Sequence, residues 1–291
     1  MDSRKSTKLI PLNPILYENF VRRALREDFG RAGDVTTASI IPVDATGEGK
    51  IVSRVAGCLA GVELAATAFR LLDPEVSIDI AIRDGSETTA GDVIATVRGS
   101  ARTLLEGERT ALNILGHLSG IATVTHRIVR SIEGSPTRIV CTRKTTPGLR
   151  VLEKYAVRAG GGFNHRFGLD DAVLIKENHL AIAGGISEAV RRARAAVGHM
   201  VKVEVEVETL TQLEEAIQQE VDAVLLDNMS LQEIREAVKL VSGRVITEVS
   251  GGVTPERVPE IAATGVDLIS LGWLTHSAPN LDVAFDVSAN G

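Results

Sequence analysis

The spacing of apolar residues divides the chain into two regimes, with the change near residue 137. Upstream, Leu16, Phe20, Ala24 and Leu25 recur at helical spacing and predict an amphipathic helix over 14–28, preceded by a flexible arm over 1–13. The runs 49–54 and 76–82 read as strands, the second alternating with period two. A long helix is predicted over 103–130, with a break at Ser119-Gly120. Downstream, short β-rich runs at 137–142, 162–165, 172–176, 202–207, 223–227, 245–249 and 268–271 alternate with helical segments. Ser230-Leu-Gln-Glu233 and Thr209-Leu-Thr-Gln212 fit the capping box, and Thr254-Pro255 and Gly265 mark the start and end of another helix. Strands alternating with helices imply a parallel sheet. This many units suggest an incomplete, seven-stranded α/β barrel of the TIM type, with a doubly wound sheet as the alternative. The last run, 281–287, alternates again and is expected to return to the first domain.

Composition narrows the function. A chain of 291 residues with 44% hydrophobic residues can bury a sizeable core, in one large α/β domain or two domains. A net charge of −6 and 3% aromatics argue against a nucleic-acid binder. The basic residues between 143 and 176 are therefore a local feature on an acidic protein, which points to a site. Cys58 and Cys141 have neither metal-ligand nor disulfide-framework spacing, so a cytoplasmic setting is expected. The first residues lack an apolar signal core, and no run approaches the length of a membrane span.

Polar residues collect where the predicted barrel strands end, the place where ligands bind in such barrels. The ends carry Arg143 and Lys144, His165 and Arg166, Lys176 and Glu177, Glu204 and Glu206, Asp227 and Asn228, Glu248 into Ser250-Gly251-Gly252, and Ser270-Leu271-Gly272. Arg143, Lys144, Arg166 and Lys176 suit carboxylates or phosphates. Glu206 and Asp227 suit sugar hydroxyls or Mg2+, which favours one or two carboxylates plus substrate phosphate. Glu204 and Glu206 share a strand face and need cationic or metal partners there. The Ser250 and Ser270 turns offer backbone amides for a phosphate.

Other polar residues have structural readings. Arg150, Lys154 and Arg158 form a solvated helix face, and Arg191, Arg192 and Arg194 lie on a surface helix. His117 and His126 are structural, His179 and His276 are left open, Cys141 is a small buried residue, and 33–37 is a cap or turn. By its surroundings alone Arg109 is a surface residue.

The segments TRKTTPGLR at 142–150, EKYAVRAGGGFNHRFGLDD at 153–171, LIKENH at 174–179, VEVEVE at 203–208, LLDNM at 225–229 and EVSGG at 248–252 together resemble the nicotinate-nucleotide pyrophosphorylase (carboxylating), or quinolinate phosphoribosyltransferase, family. EDFGRAGDVTT at 27–37, ERTALNILGHLSGIAT at 108–123 and the run 265–277 resemble it too, so the likeness covers nearly the whole chain. The resemblance implies an N-terminal α/β sandwich domain over 1–115, rejoined by the segment from about 278, and an incomplete barrel over 116–277. It implies quinolinate and phosphoribosyl pyrophosphate as substrates, Mg2+ as cofactor, and a homodimer with shared active sites, further assembly to a hexamer being left open. Arg109, Arg143, His165 and Arg166 would hold the quinolinate carboxylates, with Thr142 and Lys144 beside them. Lys144 and Lys176 would face pyrophosphate, and Glu206 and Asp227 would hold ribose hydroxyls and Mg2+. Lys144, Lys176, Glu206 and Asp227 form the catalytic set. Ser250, Gly251, Gly252, Ser270, Leu271 and Gly272 would cradle the 5′-phosphate. Cys141 departs from the acidic residue or glycine usual before TRKT. Two rival readings remain: a paralogue with another acceptor, and a non-catalytic phosphometabolite binder.

Overall fold

A computed structural model describes residues 9–289. The expected arm lies outside these over residues 1–8. The strands are β1 (Thr46–Ser53), β2 (Gly57–Cys58), β3 (Ser77–Ile80), β4 (Glu87–Thr88), β5 (Val93–Ser100), β6 (Arg138–Val140), β7 (Val173–Ile175), β8 (Val203–Val207), β9 (Ala223–Asp227), β10 (Ile246–Ser250), β11 (Leu268–Ser270) and β12 (Val283–Ala289). The α-helices are α1 (Glu18–Phe29), α2 (Val35–Ile40), α3 (Val62–Leu72), α4 (Ala101–Ser131), α5 (Arg150–Ala159), α6 (Glu177–Ala183), α7 (Ile186–Ala196), α8 (Leu210–Ala216), α9 (Leu231–Val241), α10 (Val258–Ala262) and α11 (Trp273–His276). Two compact units emerge: residues 9–126, 146–161 and 277–289, and residues 127–145 and 162–276.

In the first unit an antiparallel sheet in the order β12-β1-β5-β3 is covered by helices. Aromatic packing on glycine fixes the approach. Phe69 of α3 and Phe285 of β12 pack with ring centroids 5.4 Å apart. The Phe285 ring lies directly over Gly49, and Phe69 over Gly107 of α4, leaving no room for a Cβ at either glycine. The first helix starts later than its pattern predicts. Residues 14–16 form a separate 3-10 turn with Leu16 exposed, and the buried row is Tyr17, Val21 and Leu25. Phe20 and Ala24 instead line a cavity of about 360 Å3 together with Asn113, His117 and Leu152.

The expected break at Ser119-Gly120 is absent, and α4 is continuous. Both residues serve tertiary contact. Ser119 Oγ accepts the Ala60 N–H at 3.0 Å, and Thr123 Oγ1, one turn on, accepts the Cys58 N–H at 2.9 Å. A Cβ on Gly120 would lie 2.1 Å from the Pro279 carbonyl oxygen. Lys154 also departs from expectation, being fully buried with Glu153 on α5. Glu153 accepts from the Thr146 N–H at 3.0 Å and lies 3.0 Å from His117 Nε2, which gives His117 its structural role.

The second unit is a parallel sheet in the order β6-β11-β10-β9-β8-β7. The strand expected at 162–165 shrinks to one bridge, Phe163 beside Val140. Adding it, neighbours in space follow the chain in cyclic order, broken only between the 163 segment and β7 among the described residues. That is the winding of an open α/β barrel, not of a doubly wound sheet. Ser230 and Glu233 form the predicted capping box of α9, and Thr209 caps α8.

Replacing glycine by alanine inside a helix ordinarily stabilises by about 1 kcal/mol. At Gly120 the sign reverses, because the intruding methyl meets backbone that cannot rotate away, a cost of about 1–3 kcal/mol. Gly120→Ala is therefore expected to melt several degrees below the parent in a thermal denaturation scan, and a raised melting temperature would contradict this packing.

Candidate active site

Parallel register delivers the strand ends of the second unit to one rim. Glu206 of β8 stands beside Leu225, Asp227 of β9 beside Ser250, and Ser270 of β11 beside Val140. The cations enter on the segments after β6, after the 163 bridge and after β7. Short strands are enough, since each needs only to fix the residue that follows it.

Arg143 and Arg166 lie close enough to repel. Burial first, and then the Arg143 charge, lowers the pKa of Arg166 from its ordinary value. Arg166 Nη1 donates to the Ala172 carbonyl at 3.0 Å, which fixes the guanidinium. Arg143 Nε is buried and makes no hydrogen bond. The Asp171 and Glu204 charges act on Arg166 in the opposite sense, so the unmet demand is for an acceptor at Arg143 Nε. Lys144 is exposed. Its backbone N–H donates to Thr142 Oγ1 at 3.0 Å, and Thr275 Oγ1 donates to its carbonyl at 2.8 Å. The Lys144 side chain passes so close to Gly272 that a Cβ there would lie 2.7 Å from Lys144 Cδ.

The carboxylates have partners of their own. Lys176 Nζ pairs with Glu206 Oε2. Asn228 Nδ2 donates to Asp227 Oδ2 at 2.8 Å. Deeper, His165 Nε2 lies 3.0 Å from Glu204 Oε2 and 3.6 Å from Glu248 Oε2. The Arg166 N–H donates to His165 Nδ1 at 2.7 Å, which assigns the ring proton to Nε2, facing the glutamates. The ligand atoms of this trio lie within 4.8 Å of one another. A metal ion, however, would need that Nε2 bare. Glu204 Oε1 and Glu248 Oε1 are buried without a hydrogen-bond partner. Burial first, and next the Glu204 charge, push the Glu248 carboxyl up to about 7.

The turn after β10 is built for close approach. Gly251 and Gly252 have φ of 84° and 55°, outside the range comfortable for other residues. A Cβ on Gly251 would lie 2.4 Å from Asn228 Oδ1 and 2.8 Å from Asp227 Oδ1. Ser270 is buried and Leu271 continues the β11 ladder, its N–H donating to the Val140 carbonyl at 3.0 Å.

Of the residues singled out from sequence, all but Arg109 belong to the second unit. Arg109 lies on α4 in the first unit, with its side chain 65% exposed and its Nη2 3.8 Å from Glu108 Oε1. Glu204, Glu248 and Asn228 stand out in the sequence as polar strand-end residues, but no role in the site was assigned to them. Their signal was present: Glu248 is a lone charge in a strand otherwise suited to burial, and Glu204 shares the face of Glu206.

An open α/β barrel that gathers cations, carboxylates and glycine turns at one rim defines an enzyme class that handles small polyanions. The sequence profiles "Quinolinate phosphoribosyl transferase, N-terminal domain" and "Quinolinate phosphoribosyl transferase, C-terminal domain" match residues 34–119 and 121–286. The chain therefore belongs to the quinolinate phosphoribosyltransferase family. It is 46% identical over 277 residues to a probable nicotinate-nucleotide pyrophosphorylase [carboxylating] of Bacillus subtilis, covering 95% of each chain. It is 42% identical over 275 residues to the nicotinate-nucleotide pyrophosphorylase [carboxylating] of Mycobacterium leprae, covering 92% of this chain and 95% of that one. The crystal structure of NadC from Streptococcus pyogenes is similar with a TM-score of 0.94 at 40% identity, over 97% of this chain and 100% of that one.

Folding keeps a proton on Glu248 that the unfolded chain releases, so its contribution to stability is present below the ordinary value of 4.5 and is lost as pH rises through about 7. Glu248→Gln keeps the shape without the charge. The variant is expected to gain on the parent between pH 5 and pH 8, by on the order of 3 kcal/mol. Urea denaturation across that range measures it, and a pH-independent difference would contradict the buried-acid assignment.

Proposed function

We propose that this protein transfers a phosphoribosyl group to quinolinate, forming nicotinate mononucleotide, CO2 and pyrophosphate in NAD biosynthesis. The observation that carries the reading is the close Arg143–Arg166 pair with a buried, unbonded Arg143 Nε. A pyridine-2,3-dicarboxylate supplies an acceptor for Arg143 Nε and negative charge beside both guanidinium groups. His165, whose ring nitrogens face the Arg166 amide and Glu204, helps by fixing the Arg166 backbone. Lys144 and Lys176 face the pyrophosphate, Glu206 and Asp227 the ribose hydroxyls, and the Ser250–Gly252 and Ser270–Gly272 turns the 5′-phosphate. In a homodimer, exposed Arg109 reaches the acceptor site of a second copy of the chain.

The acceptor nitrogen forms its bond to the anomeric carbon as the bond to pyrophosphate breaks, the electron pair leaving with pyrophosphate. Carboxylates beside the ribose stabilise the cationic transition state, and lysines stabilise the leaving group. The quaternised ring then accepts the electron pair of the C2–carboxylate bond as CO2 departs, and C2 takes up one proton. Every protein group here acts by positioning and charge. Glu206 and Asp227, on neighbouring strands, are a donor set that fits Mg2+ held largely by substrate phosphates. Such an ion supplies further neutralisation of the leaving pyrophosphate.

Purified protein given phosphoribosyl pyrophosphate and Mg2+ is expected to release nicotinate mononucleotide and CO2 with quinolinate, and nothing with nicotinate. Arg143→Ala should lower kcat/KM for quinolinate at least about thirtyfold while the melting temperature holds. Product from nicotinate alone would mean the acceptor pocket takes a monoacid. No product from either would favour a paralogue with another acceptor, or a binding protein.

A further inference from the structure

Among the described residues, Asn228 and Ser242 are the non-glycine residues with positive φ. Ser242, with φ 47°, ends helix α9, where a left-handed residue is routine. Asn228, with φ 54°, sits at the rim directly after Asp227. Asparagine tolerates this conformation better than most side chains, yet glycine would tolerate it better still. The amide must therefore contribute something glycine cannot.

Three contacts say what. The Asn228 backbone N–H donates to the Ser250 carbonyl at 3.2 Å, carrying the β9–β10 pairing one residue past the strands. The side-chain Nδ2 donates to Asp227 Oδ2 at 2.8 Å, a charge-assisted bond that fixes the carboxylate's rotation. Asn228 Oδ1 turns toward Gly251, so close that a Cβ there would lie 2.4 Å away. One side chain thus touches both the carboxylate assigned to the ribose and the turn assigned to the 5′-phosphate.

We propose that Asn228 is a positioning residue that aims the Asp227 carboxylate and locks it in register with the Ser250–Gly252 turn, so that one phosphoribosyl donor meets both at once. The inference rests on the functional reading above. It explains why an exposed polar residue adopts a left-handed conformation at this rim position, and why position 251 has no side chain. It also separates two duties: Asn228 serves the donor, and the arginine pair serves the acceptor.

Two substitutions that both accept positive φ divide the amide's role from the backbone's. Asn228→Gly keeps the conformation and removes the bond to Asp227. Asn228→Asp keeps the shape and sets a second negative charge against Asp227. Calorimetric titration of phosphoribosyl pyrophosphate with Mg2+, without acceptor, reads donor binding in the absence of turnover. The glycine variant is expected to melt like the parent and to bind donor about tenfold more weakly, as for a lost bond to a charged group. The aspartate variant should be weaker than the glycine variant. In steady state, the KM for donor should rise in the same order while the KM for quinolinate stays within about threefold. Unchanged donor binding in Asn228→Gly would overturn the proposal, reducing the residue to a tolerated conformation. Equal losses toward donor and quinolinate would overturn it too. Failure of the unsubstituted protein to bind donor would strike the functional reading itself, a result visible before any variant is compared.

Discussion

A desolvated donor needs an acceptor, and the open barrel presents one that has none among the described residues. Arg143 offers a desolvated donor with no acceptor, and Arg166 is held beside it by the Ala172 carbonyl at the cost of mutual repulsion. Asp171 and Glu204 offset part of this repulsion at Arg166 but leave Arg143 Nε without an acceptor. Glu206 is engaged by Lys176, Asp227 by Asn228, and Glu204 by His165. The carboxylates are thus held in local partnerships, and under the proposed function Arg143 meets the acceptor's carboxylates while Glu206 and Asp227 face the cationic transition state.

The fold makes that separation possible by economical means. Parallel strands as short as β6, β7 and β11 bring a different side chain to the rim from each segment, and register alone decides which. Where backbone must approach side chain, glycine stands: Gly251 against Asp227 and Asn228, and Gly272 against Lys144. The first unit uses the same device, with Phe285 resting on Gly49 and the Pro279 carbonyl on Gly120.

Much of this was legible in the sequence because it depends on period and end signals. Alternating strands and helices gave the barrel, and charges at strand ends gave the rim. What escaped depends on contacts distant in sequence. Ser119-Gly120 reads locally as a helix break, and only the distant loop backbone that it meets turns it into a docking surface. Lys154 reads as one of three solvated cations, yet it is buried with Glu153. The strand near Phe163 is one bridge long because glycine-rich backbone there gains little from extended pairing. Asn228 reads only as a polar residue at a strand end, because its positive φ and its bond to Asp227 appear only in the fold.

A pocket in which Arg143 and Arg166 stand side by side should prefer two adjacent carboxylates to one. Thermal melting of the unsubstituted protein with pyridine-2,3-dicarboxylate or pyridine-3-carboxylate, at equal concentration and no other ligand, tests it most directly. A ligand that binds only the folded chain at a hundred times its Kd stabilises by about 2.7 kcal/mol. A clear rise in melting temperature is expected with the dicarboxylate and a much smaller one with the monocarboxylate. Equal rises, or none with either, would contradict it.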